Sequence, residues 1–153
     1  MMRQNYGIDD RSLRKAQAAF LFAQKIGLLE DPSLEGLERR RQEHLAKLRK
    51  KEEAGEIFYG PRSFSAAAYL QYELTRLKLD FVEPCAAVRR SGLCPSFTDE
   101  EKRAFYAANL DLFGRYHGDH FSYEEVAQII EKRMREEAYE KIIENILREC
   151  TDG

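Results

Sequence analysis

The sequence predicts an all-α fold, and three observations carry that reading. Apolar residues recur at spacings of three and four in five separate stretches. Serine, threonine and aspartate precede those stretches, and glycine or proline follows them, as helix starts and stops require. No segment alternates with period two over a strand's length; residues 56–59 come nearest and are too few. No repeat at solenoid periods is present. At 153 residues the chain is expected to form one helical domain over 1–153 with about five helices. A domain of that size buries roughly two-thirds of the surface its unfolded chain exposes, enough for a true core.

The first helix is predicted over residues 10–26. Asp9 or Asp10 caps it, Leu13, Ala16, Phe20, Ala23 and Ile26 form its stripe, and Gly27 stops it. The second begins at Asp31, Pro32 and Ser33, where proline suits a first turn, and ends near Gly55. Its stripe is Leu34, Leu37, Leu45 and Leu48, interrupted by Arg41. The third follows the Gly60-Pro61 turn with Ser63 or Ser65 as cap. It carries Ala66, Tyr69, Leu70, Leu74, Leu77 and Phe81, and Pro84 closes it. Residues 84–97 are the least regular, with a helical turn expected over 86–90. Thr98 and Glu101 form a capping box for the fourth helix, whose inward residues are read as Phe105, Ala108, Leu112 and Phe113. A second box, Ser122 with Glu125, opens a long last helix to about Arg148, with Phe121 stapled onto Val126. Its stripe is read as Val126, Ile129, Ile130, Met134, Ala138, Ile142, Ile146 and Leu147.

Composition excludes several classes. With 43% hydrophobic and 34% charged residues, the chain is a charge-rich globular protein and neither a disordered tail nor a collagen. Its 25 basic and 27 acidic residues nearly cancel, so no overall field attracts nucleic acid or an anionic membrane. The basic run from Arg39 to Lys51 is interleaved with glutamates at helical neighbour distances and reads as a solvated face. No apolar run reaches the length of a membrane span, and the N-terminus lacks the pattern of a signal peptide. The chain as written therefore reads as cytoplasmic; an extracytoplasmic place requires a signal peptide already removed. Three cysteines without CxxC spacing suggest neither zinc ribbon nor thioredoxin chemistry, and free thiols are favoured over a Cys85–Cys94 bridge.

Candidate chemistry is sparse. His117, Asp119 and His120 are the densest metal-ligating set, with Cys94 a conceivable fourth ligand, but their spacing fits a polar inter-helix turn better than a zinc motif. No nucleophile elbow, phosphate loop or dinucleotide fingerprint occurs. No catalytic residue, cofactor or metal is expected. The aromatics are the more informative set: Phe58, Tyr59, Phe64, Tyr69, Tyr72, Phe113, Tyr116, Phe121 and Tyr123 flank irregular backbone. They either line a peptide-binding groove or seal helix junctions.

Residues 97–113 and 121–143 together resemble the chaperone domain of SurA/PrsA-type peptidyl-prolyl isomerases. The matching pieces are Thr98-Asp99-Glu100-Glu101, Phe105-Tyr106, Asn109, then Phe121-Ser122, Glu124-Glu125-Val126 and Ile130. Residues 22–33 are similar to that family's first inter-helix turn. Where the family inserts its parvulin isomerase domain, this chain has only residues 114–120, so the isomerase site has no counterpart. The resemblance, shared with the helical arms of trigger factor, implies a non-catalytic chaperone module that holds unfolded or extended polypeptide in an aromatic cradle. The alternatives are a structural protein forming a homodimer or binding one dedicated partner, and a metal-dependent activity at residues 117–120. The partner expected is polypeptide, with no nucleic acid and no membrane span.

Overall fold

The computed structural model describes residues 6–55, 64–115 and 118–152. Those residues form six α-helices and one 3-10 turn, with no strand among them. The helices are α1 (Asp10–Lys25), α2 (Leu34–Glu53), α3 (Ala66–Val82), α4 (Ala86–Ser91), α5 (Asp99–Ala108) and α6 (Tyr123–Asp152); the 3-10 turn is Leu110–Phe113. The all-α expectation is met, including the long C-terminal helix.

The caps sit where side-chain chemistry places them. Asp9 Oδ1 accepts the Ser12 N–H at 2.8 Å, Ser33 Oγ that of Gly36 at 3.0 Å, and Ser65 Oγ that of Ala68 at 3.1 Å. Each satisfies one of the donors that a helix N-terminus leaves unpaired. Thr98 and Glu101 form the full reciprocal box. Ser122 Oγ accepts from Glu125 N–H at 3.4 Å and donates to its carboxylate at 3.0 Å. At the end of α1 the chain turns through Gly27 at φ +81°, a conformation open to glycine without strain. There Gly27 N–H donates to Gln24 O and Leu28 N–H to Ala23 O, closing a Schellman motif.

Three packed clusters follow. The first joins α1, α2 and α3 through Phe20, Ala23, Leu37, Tyr69, Leu70 and Leu77, with Tyr6 added from the N-terminal segment. The second joins α1, α3, α4 and the C-terminal half of α6 through Phe22, Ile26, Phe81, Val88, Tyr139, Ile143 and Leu147. Phe22, Phe81 and Tyr139 meet edge-on or tilted, with centroids 5.3–6.1 Å apart, a favoured arrangement for aromatic quadrupoles. The third is separate: α5 and its 3-10 turn pack on the N-terminal half of α6 through Phe113, Tyr123, Val126 and Ile130. One long helix thus serves two cores.

Several inward assignments need correcting. Ala108 and Leu112 are exposed, and Phe113 takes the inward place. Phe121 is 38% exposed and lies under the Arg115 guanidinium. On α6 the buried residues are Tyr123, Val126, Ile130, Tyr139, Ile143 and Leu147, while Ile129 faces outward at 50% exposure. Tyr139 and Ile143, which the predicted stripe leaves out, are core. Cys85, Cys94 and Cys150 are free thiols. No helix among the described residues is long and apolar enough to cross a membrane.

Candidate functional site

An open groove of about 350 Å³ runs between α1, α3 and α6. Its floor is apolar, because Ala16 and Ala19 on α1 are too small to close the space against Leu74 on α3 and Ile143 on α6. The rim is polar: Ser12 and Lys15 on α1, Gln71, Thr75 and Lys78 on α3, and Glu140 on α6. Lys15 Nζ stands 3.0 Å from Glu140 and 3.6 Å from Glu144, and Lys78 Nζ stands 3.4 Å from Glu140. Burial pushes the Glu140 carboxyl upward, but the Lys15 hydrogen bond and the two ammonium charges outweigh it and hold the group below its ordinary value. The Lys15 ammonium is raised in turn, chiefly by its hydrogen bond to Glu140. With both cations matched by carboxylates, the rim carries little net charge.

Tyr139 also lines this groove and is only 6% exposed. Its ring is held by Phe22 and Phe81. Burial, reinforced by the charge of Glu140, pushes the phenol up to about 12, so it stays protonated and able to donate.

The aromatics singled out in the sequence divide between two other places. Phe64, Tyr69 and Tyr72 gather with His44 of α2, ring centroids 5.2–6.1 Å apart. Tyr69 is buried beside the Arg40–Glu73 ion pair, and burial raises its phenol strongly, with the Glu73 charge and hydrogen bond adding to the effect. Burial and the charges of Lys47 and Lys51 depress the His44 imidazole. Phe113 and Tyr123 lie in the third cluster with Tyr106, which stacks on Phe113 at 5.4 Å and donates its hydroxyl to Phe121 O at 2.6 Å. Phe58, Tyr59 and Tyr116 lie outside the described residues. The two groups share no core, and Tyr69, Phe113 and Tyr123 are spent in packing.

Residues 118–120 lie in the connection that leads into α6. Gly114 and His120 pair as an isolated bridge, Arg115 N–H donates to Asp119 O at 2.7 Å, and Phe121 N–H to Phe113 O at 2.8 Å. Asp119 Oδ1 takes the His120 N–H. His117 lies outside the described residues. Among the described residues no set of three or more His, Cys, Asp or Glu side chains is placed to hold a metal.

Fold and groove together define an all-helical module, and known structures place its likeness. Two solved structures, the native and selenomethionine forms of a GH136 lacto-N-biosidase from Eubacterium ramulus, match it with TM-scores of 0.74. Identity is 31% and 30%, over 88% and 89% of this chain. The chain spans 27% of the length of that enzyme's chain in both. No family model and no curated protein matches.

These findings overturn the chaperone resemblance. The structural neighbour is a glycoside hydrolase rather than a SurA/PrsA protein, so the peptide-holding reading falls. The physical reason is plain in the quoted motifs. Thr98 with Glu101 and Ser122 with Glu125 are capping boxes, which satisfy helix N-termini in any fold and identify none. The aromatic anchors beside them hold α5 to α6.

Proposed function

We propose that this chain is the non-catalytic helical part of a carbohydrate-hydrolysing protein of the kind its structural neighbour represents. The observation that carries this reading is the 31% identity across 88% of the chain, matched to 27% of a glycoside hydrolase. On this reading the glycosidic chemistry belongs to a hydrolase body corresponding to the rest of the neighbour.

The carboxylates support a non-catalytic role. Glycoside hydrolysis ordinarily needs a carboxylic acid with a raised pKa facing a second carboxylate about 5–9.5 Å away. Here Asp9, Asp31, Glu83, Asp99 and Glu140 are all displaced downward. Glu73, a buried carboxylate, is gripped by the Arg40 guanidinium. The five shifted carboxylates are held as anions by helix-cap and ion-pair contacts, and Glu73 serves the α2–α3 junction. Leu110, Leu112, Phe121 and Ile129 remain exposed around α5 and the start of α6, and they are the surface assigned to meet the hydrolase body.

The test is a chimaera in which this chain replaces the matching quarter of the Eubacterium ramulus enzyme. A folded chimaera that keeps measurable lacto-N-biosidase activity, while the isolated chain has none, is the expected result. A folded, inactive chimaera, or hydrolysis by the isolated chain, overturns the proposal.

A further inference from the structure

The groove between α1, α3 and α6 has an unused donor in its wall. Tyr139 is 94% buried by its 6% exposure, yet its hydroxyl has no hydrogen-bond partner among the described residues. The hydroxyl is not among the enclosed polar atoms that lack a partner, so it reaches the groove, where a ligand group can sit beside it. The side chains of Ser12, Gln71 and Thr75, around the same opening, are also unbonded to described residues. Hydroxyl and amide groups of this kind both donate and accept.

We propose that this groove binds a neutral sugar of one or two rings. Its volume of about 350 Å³ lies within the range of small-molecule sites. The apolar floor of Ala16, Ala19, Leu74 and Ile143 suits the C–H face of a pyranose, and the rim supplies donors and acceptors side by side for neighbouring hydroxyls. Charge argues against an anion: Lys15 and Lys78 are already engaged by Glu140, and Lys15 by Glu144 as well. The choice of a sugar among small neutral polar ligands rests on the carbohydrate-related reading; the cavity and its unpartnered hydroxyl do not.

Amide NMR of the isolated chain, titrated with lactose, with N-acetylglucosamine and with inorganic phosphate, tests it. The expected result is saturable shifts with at least one sugar, confined to residues 12–19, 71–78 and 139–143, at about 0.1–10 mM. Tyr139→Phe, which keeps the ring, is expected to weaken binding about fivefold through the loss of one hydrogen bond. Thr75→Arg, at an exposed rim position, is expected to block it while leaving amides outside the groove unmoved. Sugar shifts elsewhere, no sugar shifts at all, shifts with phosphate alone, or shifts indifferent to both variants would each overturn the proposal. Groove occupancy is read on the isolated chain and hydrolysis on the chimaera, so either reading can fail without the other.

Discussion

Arg40 of α2 grips Glu73 of α3 through its guanidinium fork: Nη2 lies 2.6 Å from Oε1, and Nε lies 2.9 and 3.1 Å from the two carboxylate oxygens. Its remaining arm, Nη1, donates to the Asp31 carbonyl at 2.7 Å, and its face covers the Phe20 ring at 5.7 Å. The Glu73 side chain is 9% exposed and that of Arg40 23%, so the pair is desolvated. A buried pair of this kind gains little net stability, because desolvation offsets attraction, but removing one partner strands the other. Glu73→Ala and Arg40→Ala are each expected to cost about 3–5 kcal/mol in urea unfolding. The double variant Arg40→Met with Glu73→Leu is expected to recover most of that loss. Single variants within about 1 kcal/mol of the parent would show the pair to be solvated in solution.

The same junction gives α2 a glycine that helix propensity alone would replace. Gly36 lies in the first turn, where a Cβ would stand 2.8 Å from the Asp31 carbonyl oxygen and 2.6 Å from its Cγ. That carbonyl is fixed by Arg40 and cannot easily yield. An alanine in an ordinary helix interior gains about 1 kcal/mol over glycine. Gly36→Ala is instead expected to lower the melting temperature, and a rise would mean that the 31–36 turn shifts freely.

His44 should make stability depend on pH. Its ring packs against Phe64, Tyr69 and Tyr72, and burial, with the charges of Lys47 and Lys51, depresses its pKa below the unfolded value near 6.5. Above about pH 6.5 the imidazole is neutral in both states, and the folded protein keeps its full stability. As pH falls below that value the unfolded chain takes the proton first, so stability drops until the folded ring is protonated too. Arg40 and Glu73 stand beside Tyr69 on the other side of the cluster, and Arg41 holds the Phe64 carbonyl. His44→Phe keeps a ring and removes the proton site. Its melting temperature is expected to fall less than the parent's between pH 7 and 5, and parallel curves would refute the assignment.

The Arg40–Glu73 pair was half legible in the sequence. Arg41 interrupts the second stripe, yet it bonds to Glu38 on its own helix at 2.6 Å and to Phe64 O ahead of α3 at 2.9 Å. Its neighbour Arg40 enters the junction. On the facing helix, Glu73 falls between Leu70 and Leu77 on the stripe itself. A charge within the stripe of each of two adjacent helices is a signal for a buried pair, and it was there to be read. Caps and helix ends were legible because they depend on a few adjacent residues: Asp9, Ser33, Ser65, Thr98 and Gly27 all act locally. The groove was not, since it exists only where Ala16, Thr75 and Tyr139 from three helices converge.

The rotation of α6 escaped the sequence for a different reason, and it yields the last prediction. Apolar residues on this helix come as adjacent pairs, Ile129-Ile130, Ile142-Ile143 and Ile146-Leu147, so a stripe can be drawn through either member. Periodicity establishes that the helix has an inner face; the partners decide which. Packing of α5 onto the N-terminal half selects Val126 and Ile130, and packing of α1 and α3 onto the C-terminal half selects Tyr139, Ile143 and Leu147. Burial of Ile130 at 0% against Ile129 at 50% makes the choice testable with neighbouring residues of the same type. Ile130→Ala should lose the transfer energy of its side chain and leave a cavity, about 2–5 kcal/mol. Ile129→Ala should change the isolated chain's stability by no more than about 1 kcal/mol. If α5 opens separately from the helices around α1, the Ile130→Ala loss will appear in hydrogen exchange as reduced protection of residues 99–113, with α1 and α3 unchanged. Equal losses at 129 and 130 would mean that α6 sits rotated from the register described.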